Sequence, residues 1–183
     1  MNKNMSTLYH GTIHDFTEID VTKGKANKDF GRGFYTSRNA KHAGNLARRN
    51  KKIEERRSAR LPGKLGKIIA WLYQYEFDFA HLDALKVKEF ETADFEWIDF
   101  IAENRDNASF HHDYDVIIGP TANDDTVITL GAFLNNAYGD RHSQRAKEIF
   151  LELILPDALP RQIYFGTQKA VTFLKFAARR VIE

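Results

Sequence analysis

Five large apolar side chains spaced two apart, Ile69, Trp71, Tyr73, Tyr75 and Phe77, run through Lys67 to Asp78 and interleave with Gln74, Glu76 and Asp78. A period of two marks a strand with one buried face, so a sheet must supply part of the core. Shorter patterns of both periods surround it. Residues 6 to 12, Leu85 to Phe90, Tyr114 to Pro120 and Gln162 to Phe165 read as further strands, the third stopped by Gly119-Pro120. Helices are expected from Arg38 to about Arg57, Phe95 to Asn107, Thr126 to about Tyr138, Ser143 to Leu155, and about Thr167 to Ala177. Pro62-Gly63 closes the first, and Ile13 to Gly33 reads as a loop pinned by Phe16, Ile19 and Phe30. Such interleaving predicts an α+β domain. The 183 residues, with no repeat or linker, fit one domain over 1–183.

Charge and composition exclude several classes. A formal charge of +2 sets up no whole-protein field that demands a nucleic-acid partner. The basic run from Arg48 to Arg57 reads first as a solvated helix face laced with i to i+4 pairs, and alternatively as a surface for a macromolecular target. With no cysteine there is no disulfide, thiolate nucleophile or cysteine-based zinc site. The N-terminus has no apolar signal core, and the longest apolar run, Ile68 to Tyr73, is too short to span a bilayer, so a soluble, cytoplasmic protein is expected.

Standard catalytic motifs are absent. GxSxG, HExxH and Walker sequences do not occur, and Gly31-Arg32-Gly33 lacks a third glycine and leads into a strand rather than a helix. His10 and His14 have a helical metal-binding spacing, but Gly11, Thr12 and Ile13 between them oppose a helix, so no metal site is expected. His111-His112 reads as a solvated turn. Asp124-Asp125 reads as a helix cap, with an acid–base pair the alternative.

Two stretches remain. Leu8-Tyr9-His10-Gly11-Thr12 and Asp29-Phe30-Gly31-Arg32-Gly33-Phe34-Tyr35-Thr36-Ser37 each put a polar group beside a glycine on β-prone residues, which opens a backbone edge to a ligand. Side by side, these edges would form a cleft holding a histidine and a tyrosine.

Together with Glu96 to Phe100, Tyr114 to Pro120, Ala122 to Asp125 and Gln162 to Phe165, the ordered set resembles the ADP-ribosyltransferases of the diphtheria-toxin and poly(ADP-ribose)-polymerase type. More closely, it resembles a bacterial family of unknown function within that superfamily. The resemblance covers most of the chain. It implies an ADP-ribosyltransferase-like split β-sandwich with flanking helices, clamping NAD between its halves. By the same similarity His10 would bond the adenosine ribose, the Gly11 backbone would grip the nicotinamide carboxamide, and Tyr35 would stack on the ring. Thr12, Arg32, Gly33 and Ser37 join the NAD-contacting positions.

The third catalytic position, normally a glutamate, falls on Gln162, whose amide supplies a dipole but no charge or base. Asp124 and Asp125 are the candidate replacement acids, Asp125 being taken as catalytic with His10, Tyr35 and Gln162. The implied activity is mono-ADP-ribosyl transfer from NAD to a protein or nucleic acid, in the setting of a toxin held by an antitoxin. NAD hydrolysis or phosphorolysis, and a catalytically inactive NAD-binding module, are the alternatives.

Overall fold

The computed structural model describes residues 4–60, 66–122, 124–154 and 159–183, without the side chains of Asp124 and Asp125. Its order is β1 (Met5–Thr12), β2 (Phe34–Thr36), α1 (Ala40–Ser58), β3 (Ala70–Asp78), β4 (Val87–Glu89), α2 (Phe95–Asp106), β5 (Val116–Pro120), α3 (Asp124–Leu134), α4 (Gln144–Ile154), β6 (Arg161–Phe165), α5 (Gln168–Val171) and β7 (Lys175–Ile182). Short 3-10 turns cover Val21–Lys23 and Phe79–Ala84. The fold is mixed α+β. No helix among the described residues is long and apolar enough to cross a membrane.

The strands form two sheets, ordered β1-β3-β7 and β2-β6-β5-β4. An antiparallel bridge joins them: Tyr9 N–H donates to Ser37 C=O (2.8 Å), and Ser37 N–H returns to Tyr9 C=O (2.9 Å). Strand alternation sorts the residues into layers. Leu8, Tyr73, Tyr75 and Phe77 of the first sheet meet Phe34, Val116, Ile118, Ile163 and Phe165 of the second. On the far side of the second sheet, Ile117 and Tyr164 pack with Phe30, Trp97, Ile101, Phe133 and Phe150 from the loop before β2 and from α2, α3 and α4. Helix α1 lies on the far side of the first sheet, through Ala43, Ala47, Ala70, Leu72 and Ile182. The order is helix, sheet, sheet, helices.

Several expectations change. The helix expected over Thr167 to Ala177 is only the four-residue α5, after which the chain turns into β7. Lys175 to Ile182 lacks period-two apolarity because this strand is exposed along all but its last residue. Backbone pairing with β3, from Ala70↔Ile182 to Glu76↔Lys175, decides its conformation. Leu85 to Phe90 contains a strand of three residues only, β4. The thin apolar stripe expected on α1, Ala40, Ala43, Leu46 or Ala47 and Ile53, is replaced by a buried stripe of Ala43, Gly44 and Ala47, while Leu46 and Ile53 are 40% and 49% exposed. The Pro62-Gly63 stop lies outside the described residues.

The narrow stripe of α1 has a direct cause at Gly11. A Cβ there would sit 1.8 Å from the Ala43 carbonyl oxygen and 2.7 Å from its carbon. Strand and helix therefore touch backbone to backbone, and only glycine permits it. Gly11→Ala has to push α1 off β1, and we expect a loss of about 1–3 kcal/mol in urea unfolding; an unchanged midpoint would refute this packing.

Candidate functional site

The chemistry-bearing residues gather where β1, β2 and β6 run side by side. His10, on β1, turns its Nδ1 to the Tyr35 carbonyl oxygen of β2 at 2.7 Å. A carbonyl can only accept, so Nδ1 carries the proton and Nε2 is left as an acceptor. The ring stacks on Phe34 at 4.3 Å and meets Phe16 and Tyr73 edge-on. Burial among these rings pushes the imidazole pKa down to about 4, against a smaller upward pull from the Tyr35 carbonyl and with a further downward one from His14. His10 is thus a neutral hydrogen-bonding group at neutral pH.

Gly11 bears on the same strand edge in another way. Tyr9 gives both backbone groups to Ser37. Alternation along a strand therefore turns the N–H and C=O of Gly11 to that same edge. The face of Gly11 is closed by α1; its edge is directed at β2.

Tyr35 pairs with Tyr164 across β2 and β6, and their rings lie 5.1 Å apart. Its hydroxyl donates to Gly31 C=O (2.6 Å) and accepts from Phe30 N–H (3.1 Å). Burial, followed by the Asp29 charge, raises its pKa well above the ordinary phenol value, so it stays protonated. The Tyr164 hydroxyl donates to Arg32 C=O at 2.8 Å. His112, beside the same rings, donates Nε2–H to Phe30 C=O at 2.9 Å. Two phenols and an imidazole thus hold the backbone of residues 30–32. That accounts for the glycines: Gly31 has φ +80°, and a Cβ on Gly33 would lie 2.3 Å from the Tyr164 ring.

Gln162 is two residues along β6 from Tyr164, on the same face, and 9% exposed. Its Nε2 donates to Asp29 Oδ2 at 2.9 Å. Asp29, 4% exposed, also takes Thr121 Oγ1–H (3.3 Å) and Ala122 N–H (2.9 Å) on Oδ2, and Arg105 Nε–H and Nη2–H (2.9 and 2.5 Å) on Oδ1. This buried carboxylate collects donors from α2, β6 and the segment after β5.

The structure therefore brings His10, Gly11, Tyr35 and Gln162 onto adjacent strands, but it sets the His10 ring on the Phe34 face of β2 and Tyr35 with Gln162 on the opposite face. The remaining candidates are more scattered. Thr12 Oγ1 accepts from His14 N–H (3.1 Å). Arg32 donates to Thr22 C=O (2.9 Å) at the surface. Ser37 accepts from Asn39 N–H (3.1 Å) and lines, with Arg38, Phe79, Glu89, Arg161 and Ile163, a cavity of about 420 Å³ on the other side of β6 from Gln162. The carboxylates of Asp124 and Asp125 lie outside the described residues, and α3 begins at Asp124 itself.

Neither Asp29 nor Arg105 was given a role by sequence. His112 corrects the expectation of a solvated turn: it is half-buried against Phe100 and Tyr164. Only the Asp-Phe-Gly run signalled Asp29; its partners lie 76 to 133 positions away.

Two measurements check these environments. The folded chain resists protonating His10 while the unfolded chain takes the proton near pH 6.5, so this group's contribution to stability is complete above pH 6.5 and falls as pH drops towards 4. His10→Asn should flatten that part of the stability–pH curve. His42 and His112 are shifted the same way but are common to both proteins. Parallel curves would contradict this environment. Arg105→Met strands a buried carboxylate and is expected to cost about 3–5 kcal/mol in urea unfolding; a loss below about 1 kcal/mol would mean that Asp29 does not need its guanidinium.

No curated protein and no solved structure matches this chain. A family model described as "Protein of unknown function (DUF3990)" matches residues 6–176, from β1 into β7, and the chain belongs to that family.

Proposed function

We propose that this protein is an NAD-dependent mono-ADP-ribosyltransferase acting on a macromolecule, with an ADP-ribosyltransferase-like split β-sandwich as its fold. The observation that carries the reading is the edge of β1 beyond the Tyr9–Ser37 bridge, where strand alternation turns the N–H and C=O of Gly11 to the side on which β2 carries Tyr35. A primary carboxamide offers the complementary acceptor and donor, which supports nicotinamide as the group that binds at that edge. His10 Nε2 is an acceptor for a ribose hydroxyl on the Phe34 side. Tyr35 gives an apolar ring on the other side, and Gln162 gives an amide.

In the reaction the bond between the nicotinamide nitrogen and ribose C1′ breaks, and its electron pair leaves with nicotinamide. The acceptor donates a pair to C1′, and its proton passes to water or to a carboxylate, for which Asp125 is the candidate. The cation-like ribose is stabilised by fixed dipoles rather than a charge at residue 162. This predicts turnover slower by about 10²–10³ than with a carboxylate aimed at the same point. The acceptor is a protein or a nucleic acid, and a cytoplasmic toxin kept in check by an antitoxin is the setting that suits such an enzyme.

Gln162 also favours one second reading, an NAD-binding module without turnover. Nicotinamide release from NAD by wild type, His10→Ala and Tyr35→Ala separates the two. The transferase reading expects measurable release by wild type and a loss on the order of 10²-fold in each folded variant. Equal rates in all three would dismiss it, and calorimetric NAD binding with no release would leave the binding module.

A further inference from the structure

An amide can face either way in a pocket, but a carboxylate oxygen only accepts hydrogen bonds. The atom of Gln162 that lies 2.9 Å from Asp29 Oδ2 is therefore its NH2 group. The carbonyl oxygen must project to the other side. Both residues are buried, at 9% and 4% exposure, so water cannot substitute for this contact as it would on the surface.

Asp29 is itself fixed. Arg105 takes Oδ1 with two N–H groups, and Thr121 and Ala122 join Gln162 on Oδ2. Arg105 holds Oδ1 while Gln162 meets Oδ2, so the carboxylate is fixed in orientation towards residue 162. We propose that Asp29 is a positioning residue that locks the Gln162 amide with its carbonyl oxygen presented as an acceptor on the Tyr35 face. This inference rests on the transferase reading for its chemical use: a carbonyl so fixed accepts a ribose hydroxyl and points its negative end at the developing cation, the part a glutamate would otherwise play.

The contact itself can be tested without that reading, through Gln162→Glu. Two carboxylates at hydrogen-bond distance in a buried site share one proton. The introduced side chain would then be the neutral acid, donating to Asp29 as the amide does. Its folded pKa is raised above the unfolded value of about 4.3, so the variant's stability relative to wild type is best at low pH and declines as pH rises. Arg105, Lys28 and Tyr35, the other titratable groups that sense Asp29, are common to both proteins. We expect the gap in melting temperature between wild type and Gln162→Glu to widen from pH 5 to pH 8. A gap independent of pH overturns the inference.

Should the variant not fold, hydrogen exchange of the Gln162 side-chain NH2 in wild type decides. Protection supports the lock, and exchange at the solvent rate overturns it. Turnover then tests its use. Although Gln162→Glu restores the residue type of the superfamily, kcat for nicotinamide release at pH 6 should stay within about threefold of wild type, because the acid is protonated, and should change with an inflection at higher pH that wild type lacks. A pH-independent rise of about tenfold or more would mean an ionised carboxylate turned away from Asp29, and would overturn the positioning role. No nicotinamide release by wild type, with the widening gap intact, would retire the transferase reading and leave the contact standing.

Discussion

A carboxylate buried to 4% exposure is expensive to remove from water, and Asp29 is tolerated because donors among the described residues surround both of its oxygens. Those donors come from separate parts of the chain: Arg105 on α2, Thr121 and Ala122 beyond β5, and Gln162 at the start of β6. Satisfying one charge therefore fixes where the loop before β2 ends and which way β6 presents its first turned-in side chain. The two tyrosines beyond it, Tyr35 and Tyr164, then bond the backbone of residues 30–32. The position of β2, three residues long, follows from these anchors as much as from its own ladder with β6.

That short strand decides the shape of the candidate site. Phe34 and Thr36 turn towards the core between the sheets, and Tyr35 turns towards the helices. His10 stacks on Phe34 yet reaches only the backbone of Tyr35. Neighbours in space, the two side chains stand back to back. A ligand that meets both has to cross the edge where β1 leaves β2, and Gly11 turns its peptide groups to that edge. The neutral state of His10 belongs to the same arrangement: an imidazole stacked on one ring and edged by two others is held as a hydrogen-bonding group and not as a charge.

Much of the sheet structure could be read in advance, because it depends on local patterns. The alternation of Trp71, Tyr73, Tyr75 and Phe77 describes the face of β3 that enters the core, and β1, α2, β5, α4 and β6 lie within a few residues of their expected spans. The failures have a common cause. β7 has almost no buried side chain to mark it, and its conformation comes from the backbone of β3. The stripe of α1 looked weak because its closest contact is between main chains at Gly11 and Ala43, where large side chains would be a fault. The site followed the same division. His10, Gly11 and Tyr35 were visible as candidates in the two glycine-bearing stretches, which the structure sets on adjacent strands. Asp29 and Arg105 were not, since an ion pair across 76 positions leaves no periodicity behind.

A buried ion pair with its satellites seldom adds stability that well-packed apolar groups could not match, because desolvation offsets the attraction. What apolar groups cannot do is give a neighbouring amide one orientation. Gln162 lies between Arg161 and Ile163 on β6, and the carboxylate of Asp29 discriminates between its NH2 and C=O. The charge of Asp29 is thus placed where a direction is needed, against the first buried position of β6 and on the face shared with Tyr35. Local rules that favour an apolar core are broken at that point and nowhere else along the buried part of β6, which is the pattern expected where a chain accepts a less favourable core in return for a defined polar group.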